Sequence, residues 1–184
     1  MVTIVFTHPW HGSFNKAILD TITSKYDSEN KAYRVIDLPK DNFNPSFSEA
    51  ELAVYNKGQA LDPLVKEYQE QLKLSDEIIF IFPIWWGTMP AILKGFFDKV
   101  LLVNFSHSYE NGWTPLLGNI KKATIITTSQ SPSANFKLSI EEDFIPSMLN
   151  PIGISNTHWL NNEATTSGTD AERKAFLKKV ERHV

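Results

Sequence analysis

Apolar residues are concentrated in five short runs, each separated from the next by a longer and more polar stretch. The run Ile78–Phe82 is unbroken, and it has the length and composition of a strand that is buried on both faces. The same pattern predicts a strand in every run: Val2–Phe6, Ala32–Leu38, Ile78–Phe82, Lys122–Thr128 and Ile154–Leu160.

The stretches between these runs carry helical signals. Apolar residues recur at helical spacing after Ser13, a residue type that caps helices, and after Pro90, which suits a first helical turn. The predicted helices therefore begin at Ser13, at Ser48 with Glu51 in capping-box spacing and at Asp62-Pro63, and others cover Pro90–Val103, Leu138–Leu149 and Thr169–Val184.

Strands that alternate with helices predict a parallel sheet with helices on both faces. We expect one α/β domain over residues 1–184, a doubly wound sheet of five strands in the order 2-1-3-4-5. No internal repeat, low-complexity tract or linker divides the chain.

Composition narrows the classes of function. The chain has 184 residues, a net charge of −3 and no cysteine. A weak negative charge without a long basic run argues against nucleic acid and anionic membranes as partners. The absence of cysteine excludes disulfides and thiolate nucleophiles and fits a cytoplasmic protein. No signal-peptide pattern and no apolar run near the roughly 20 residues of a membrane span are present, so we expect no membrane insertion.

Three predicted strands end in unusual loops, Thr7–Asn15, Ile84–Met89 and Thr127–Asn135. In the order 2-1-3-4-5 these loops meet at the point where ligands bind to open α/β sheets. The hydroxyl and helix-start amides of the first loop suit a phosphate, the tryptophans of the second suit a planar ring, and the polar third loop suits the edge of that ring. Together they describe a flavin mononucleotide site.

Bland alternatives exist for each feature. Trp85 and Trp86 could be core residues, since large aromatic side chains are mostly buried, and Ser13 could be an ordinary helix cap. His8 and His11 are too few for a zinc site, so we expect no metal. The dinucleotide fingerprint GxGxxG is absent.

Four stretches together resemble a known family, the flavodoxin-like NAD(P)H:quinone oxidoreductases. They stand in the family's order and span most of the chain: His8 followed by Ser13-Phe14-Asn15; Asn42-Phe43-Asn44-Pro45; Pro83-x-x-Trp86 with Pro90-Ala91-x-Leu93-Lys94-Gly95; and Thr127-Thr128. The third stretch is highly specific, and the others are weak alone.

The resemblance implies a flavodoxin-like fold, a homodimer and a flavin, with FMN favoured over FAD because the chain is short. It implies that the phosphate is held by His8, Ser13, Phe14 and Asn15, the isoalloxazine by Pro83, Ile84, Trp85 and Trp86, and its pyrimidine edge by Thr127, Thr128, Ser129 and Gln130. Phe105 and Tyr109 would reach the flavin of the second subunit.

The chain also departs from the family. Ser129 and Gln130 stand where two glycines are usual, and the family's later Tyr and His have no clear match. His107 stands where some members have a tyrosine, and its ordinary pKa near 6.5 makes it a candidate proton donor beside Tyr109. We hypothesise that Gln130 narrows the cavity or hydrogen-bonds the flavin edge, and that the backbone amides of Ser129 and Gln130 stabilise negative charge there.

The expected reaction is ping-pong: NAD(P)H gives a hydride to the flavin, and a quinone or similar small acceptor then takes two electrons. Two rival functions stay open. One is the reduction of azo or nitro compounds on the same frame. The other is a flavin-binding regulatory or electron-carrier protein with little turnover.

Overall fold

The computed structural model describes residues 1–184 and contains all five predicted strands. The elements in chain order are β1 (Val2–Phe6), α1 (Phe14–Ser28), β2 (Tyr33–Asp37), α2 (Glu49–Ala53), α3 (Pro63–Lys73), β3 (Glu77–Pro83), α4 (Ala91–Val100), β4 (His107–Ser108), β5 (Thr114–Pro115), β6 (Lys122–Thr128), a π-helix (Leu138–Leu149), β7 (Thr157–Asn162) and α5 (Asp170–His183). Short 3₁₀ turns cover Tyr55–Lys57, Ser133–Phe136 and Asn150–Ile152.

The five long strands form one parallel sheet in the order β2-β1-β3-β6-β7. This is the predicted order, because β4 and β5 form only a small antiparallel hairpin outside the sheet. In the centre, Pro83 pairs with Thr128, and Thr128 also pairs with Asn162. The carboxyl ends of β3, β6 and β7 are therefore level, and the loops that follow them start side by side.

Helices cover both faces of the sheet. The larger apolar cluster lies between the sheet and helices α3, α4 and the π-helix, and the smaller one lies between the sheet and helices α1 and α5. The central strand β3 supplies side chains to both clusters, Phe80 to the larger one and Ile79 to the smaller one. This explains its unbroken apolar run, since alternate side chains of a strand point to opposite faces.

Local signals in the sequence place the helix starts correctly. Ser13 caps α1 by accepting a hydrogen bond from the Lys16 amide, and Asp62 caps α3 with Pro63 in the first turn. Both predicted capping boxes are formed, by Ser48 with Glu51 and by Thr169 with Glu172. Each box satisfies amide groups that the first turn of a helix leaves without partners.

Two predicted elements differ from the structure by more than one residue at an end. The fifth strand runs over Thr157–Asn162 rather than Ile154–Leu160, because the Ile154 amide closes a turn onto the Leu149 carbonyl and its side chain joins the core. Helix α4 ends at Val100 rather than Val103, where the chain turns away. The predicted helix Leu138–Leu149 is present as a π-helix with Pro146 inside it.

Helix α4 packs closely against the loop between β2 and α2. A Cβ atom at Gly95 would lie only 2.4 Å from Pro45, so this approach requires glycine. One turn further on, the buried Lys99 ammonium lies 2.9 Å from Glu51, 3.4 Å from Asp62 and 3.0 Å from the Asn44 carbonyl oxygen. The family-like stretch Asn42–Pro45 therefore lies against α4.

None of the helices is both long and apolar enough to cross a membrane.

Candidate functional site

A cavity of about 400 Å³ opens at the carboxyl ends of strands β1, β3, β6 and β7. It lies where the loops after β1 and β3 diverge, which is the position predicted for a ligand in a doubly wound sheet. Its walls are formed by His8, Trp10, Ser13, Phe14, Asn15, Pro83, Ile84, Trp85, Thr128, Ser129, Gln130, Thr165 and Thr166. The structure thus brings together every predicted cofactor-binding residue except Trp86 and Thr127.

The start of helix α1 forms one end of the cavity. The amide groups of Phe14 and Asn15 have no acceptor within the chain, as expected for a first helical turn. They lie at the positive end of the helix dipole, which favours an anion. Ser13 keeps its hydroxyl oxygen on the Lys16 amide at 3.2 Å.

Asn15 connects this end of the cavity to strand β6. Its Nδ2 atom donates to the Thr128 hydroxyl at 2.8 Å, and the residue is only 2% exposed. The Oδ1 atom is buried and has no hydrogen-bond partner in the chain. This oxygen can accept a hydrogen bond from a ligand that brings a donor to this point. A ribityl hydroxyl is such a donor, so the site fits a flavin nucleotide.

His8 lines the cavity and lies edge-on to the Trp85 ring, with the ring centres 6.0 Å apart. Its Nδ1 atom accepts the Trp10 amide at 3.1 Å, so the neutral ring carries its proton on Nε2. Burial is the main cause that lowers the pKa of His8, and the neighbouring His11 lowers it further. We therefore expect a neutral His8 near pH 7.

The tryptophans belong to a tight turn. Trp85 and Thr88 exchange two backbone hydrogen bonds of 2.9 and 3.2 Å, and Trp86 and Gly87 between them have φ values of 52° and 81°. Positive φ at both central positions defines a type I′ turn. Trp85 lines the cavity and is half-exposed, whereas Trp86 is fully exposed and lies outside it. Neither tryptophan is a core residue.

Thr127 does not face the cavity, which corrects its predicted contact with the flavin edge. Its side chain is fully buried, accepts the Trp159 indole N–H at 2.8 Å and donates to Asn161 Oδ1 at 2.8 Å. Asn161 Nδ2 then donates to Ser129 at 2.8 Å and to Ser133 at 3.0 Å. Thr127 therefore supports the loop after β6 from behind.

The amide of Ser129 departs from its predicted role, whereas that of Gln130 does not. The Ser129 amide donates to the Asn162 carbonyl oxygen at 2.9 Å, so this amide is not free for a ligand, whereas the Gln130 amide has no acceptor in the chain. The Gln130 side chain accepts from the Thr166 hydroxyl at 2.5 Å and donates to the Ser167 hydroxyl at 2.5 Å. Gln130 thus fastens the loop after β7 to the loop after β6, and its side-chain amide is used in this link.

His107 and Tyr109 lie elsewhere, on the β4–β5 hairpin. His107 stacks on Trp113 with ring centres 4.1 Å apart and lines a separate groove of about 280 Å³. This groove shares no lining residue with the first cavity. Burial lowers the pKa of His107. Phe105 packs in the larger apolar cluster and is 8% exposed in the single chain, and its contact with a second subunit stays a prediction.

Three cavity residues were missed in the sequence: Trp10, Thr165 and Thr166. Trp10 lies inside the predicted loop Thr7–Asn15 and could have been included with its neighbours. Thr165 and Thr166 follow the fifth strand, which the predicted strand order already places next to the fourth. No group of three or more His, Cys, Asp or Glu residues is arranged to hold a metal ion.

Comparisons with known proteins agree with this architecture. A family model described as a flavodoxin-like fold matches residues 1–184. A Haemophilus influenzae protein named as an uncharacterized NAD(P)H oxidoreductase is 32% identical over 164 residues, which cover 85% of this chain and 80% of that protein. A Streptococcus mutans protein of known structure has a TM-score of 0.85 at 32% identity, with 98% of this chain and 96% of that chain covered. An NAD(P)H:quinone oxidoreductase from Methanothermobacter marburgensis has a TM-score of 0.83 at 26% identity, with 98% and 95% covered.

Proposed function

The chain belongs to the family of flavodoxin-like folds, and on this premise we propose that it is an FMN-dependent NAD(P)H:quinone oxidoreductase. The observation that carries the proposal is the cavity at the end of β1, β3 and β6. It combines free helix-start amides, an indole wall and the unpaired Oδ1 atom of Asn15. The names of the Haemophilus and Methanothermobacter relatives support the same reaction class.

The residues of the cavity fit FMN in three parts. The phosphate would accept hydrogen bonds from the amides of Phe14 and Asn15, at the positive end of α1. A ribityl hydroxyl would donate to Asn15 Oδ1, and the ring would lie against Trp85 with its polar edge near the Gln130 amide. When bound, the flavin supplies hydride acceptance from a nicotinamide and electron donation to a quinone.

The protein's own contribution is to bind and orient the reactants. The amide of Gln130 is the cavity's free donor at the end of β6, where it would stabilise negative charge on the ring edge. The Asn161 hydrogen bonds hold the loop that carries this amide. A preorganised donor of this kind needs no rearrangement during the reaction.

We further propose that two copies of the chain form the complete site. Trp86 is fully exposed on its turn, and Tyr109 and Trp113 are at least half-exposed on the β4–β5 hairpin. Large aromatic side chains exposed around a cavity and a groove are typical of protein interfaces. In a homodimer Tyr109 and His107 of one subunit would border the acceptor above the flavin of the other. Because its pKa is lowered, His107 would be neutral there near pH 7 and would act as a hydrogen-bond donor.

The test starts with the purified protein and its colour. We expect a yellow preparation whose released flavin migrates as FMN, together with rapid oxidation of NADH or NADPH in the presence of a benzoquinone. A colourless protein that takes up neither FMN nor FAD would refute the proposal. Faster turnover of an azo dye or a nitro compound than of the quinone would favour the first rival. Slow flavin reduction by both nicotinamides in stopped-flow traces would favour the electron carrier.

A further inference from the structure

The cavity has no formally charged side chain on its walls, other than His8 when it is protonated. A phosphate monoester carries close to two negative charges at pH 7. Binding it beside a neutral His8 leaves this charge to the helix dipole and to uncharged donors alone. Because an anion within a few ångströms favours the protonated form of an imidazole, the empty and occupied cavities should hold His8 in different states.

The charged groups on the helix and loops that form the cavity are already committed to other partners. His11 Nε2 lies 2.9 Å from Asp37 Oδ2 at the end of β2. Lys16 in the first turn of α1 pairs with Asp20, and Glu163 after β7 accepts from the Ser133 hydroxyl at 2.6 Å. The turn after β3 presents Trp85 to His8 and no charged group. His8 is therefore the group at this cavity that is available to answer a change in ligand charge.

The hydrogen bond between His8 and Trp10 links such a change to the backbone. In the neutral ring Nδ1 accepts the Trp10 amide at 3.1 Å. A protonated imidazole carries hydrogen on both nitrogens and accepts nothing, so this bond cannot persist in the charged form. The Trp10 amide would then need another acceptor, and a phosphate oxygen at the same end of the cavity supplies one.

We propose that His8 takes up a proton when the phosphate of the bound nucleotide enters the cavity, and that the released Trp10 amide then donates to that phosphate. The loop Thr7–Gly12 thereby changes from a self-bonded to a ligand-bonded arrangement. This inference rests on the proposed function, because it takes a flavin mononucleotide as the ligand. It predicts that affinity for FMN falls as pH rises, whereas affinity for riboflavin, which has no phosphate, does not.

The experiment is isothermal titration calorimetry of the flavin-free protein at pH 7.5, where the phosphate is already a dianion because its second pKa lies near 6. Titrations in two buffers of different ionisation enthalpy count the protons taken up. For FMN we expect uptake of up to about one proton, with Kd weakening by up to about tenfold per pH unit above neutrality. For riboflavin we expect no uptake.

Two variants assign the effect. His8→Asn keeps an acceptor for the Trp10 amide, because its Oδ1 atom stands where Nδ1 stood, but it cannot take up a proton. It should therefore bind FMN without uptake and with a flat pH dependence. His11→Gln is the matched control and should retain the uptake. Equal uptake with FMN and riboflavin, uptake that survives in His8→Asn, or FMN binding without any uptake would overturn the inference while leaving the proposed function intact. If FMN does not bind at any pH, the proposed function is refuted and this inference falls with it.

Discussion

Lys99 offers the sharpest test of the packing behind the site. The side chain is 2% exposed, and its ammonium group lies within 3.4 Å of two carboxylates and a backbone carbonyl oxygen. It also lies 5.4 Å from the centre of the Phe43 ring. Lys99→Met keeps the apolar stem of the side chain but removes the ammonium group and its charge. Glu51 and Asp62 are then left close together without their shared cation.

Removing one partner of a buried ion pair costs about 3–5 kcal/mol, since the other charge stays buried and unpaired. Here the carboxylates of Glu51 and Asp62 retain some exposure, and Glu51 keeps its hydrogen bonds with Ser48. The lower end of this range therefore applies, and we expect a loss of about 3 kcal/mol. At about 2–4 °C per kcal/mol for a chain of this size, Tm should fall by about 6–12 °C.

Urea unfolding followed by far-UV circular dichroism would measure this loss, provided that the m value is unchanged. Lys94→Met is the matched control, because Lys94 pairs with Asp98 on the same helix but both side chains are about half-exposed. That variant should lose less than about 1 kcal/mol. The reasoning would be refuted if the two variants were equally stable, or if Lys99→Met were as stable as the wild type.

Three further predictions concern single residues. Trp86→Asn should stabilise the protein by about 1 kcal/mol, because asparagine adopts the positive φ of this position more readily than tryptophan. Quinone turnover should fall in the same variant. Thermal unfolding and steady-state rates measure the two effects, and an unchanged Tm would show that Trp86 does not strain the turn. Asn15→Ala should weaken FMN binding by about tenfold in a fluorescence titration. Asn56→Ala is the control, because Asn56 is exposed, and it should bind FMN like the wild type. Equal FMN affinities of the two variants would show that Asn15 does not contact the ligand. Burial favours the protonated form of Glu51, but hydrogen bonds from Ser48 and Lys99 outweigh this effect and lower the pKa of Glu51. The ionised carboxylate therefore stabilises the fold above the unfolded pKa, which is near 4.3, and this contribution is lost as pH falls through the folded pKa. Glu51→Gln should flatten the acid limb of the stability curve measured by urea unfolding, and an unchanged limb would exclude this role.

The strands and their order were predictable because each apolar run is locally complete. Ile78–Phe82 is buried on both faces, and its unbroken run of apolar residues is typical of such a strand. The fifth strand was predicted too early in the sequence because its last residues, Asn161 and Asn162, are polar. They pair with Thr127 and Thr128 and so extend the strand beyond the apolar run. Their fit depends on hydrogen bonds to residues about 30 positions away, which no local pattern reveals.

The candidate site was predictable to the extent that whole loops meet at one edge of the sheet. The direction of individual side chains was not. The Gln130 side chain lines the cavity, but its amide group bonds Thr166, 36 positions further along the chain. Thr127 and Thr128 are adjacent in sequence but alternate across the strand, so only Thr128 reaches the cavity. Each strand of the β4–β5 hairpin is only two residues long, which is too short to give a periodic pattern in the sequence.

The contact between Gly95 and Pro45 determines where the tryptophan turn stands. Helix α4 begins at Ala91, three residues after the last residue of that turn, Thr88, so a displacement at its middle moves its first residues as well. A methyl group at position 95 would meet the Pro45 backbone, which cannot rotate aside, and we expect the helix and the indole wall to shift in response. The space for a planar molecule beside Trp85 therefore depends in part on the absence of a Cβ atom at Gly95, a residue that does not line the cavity.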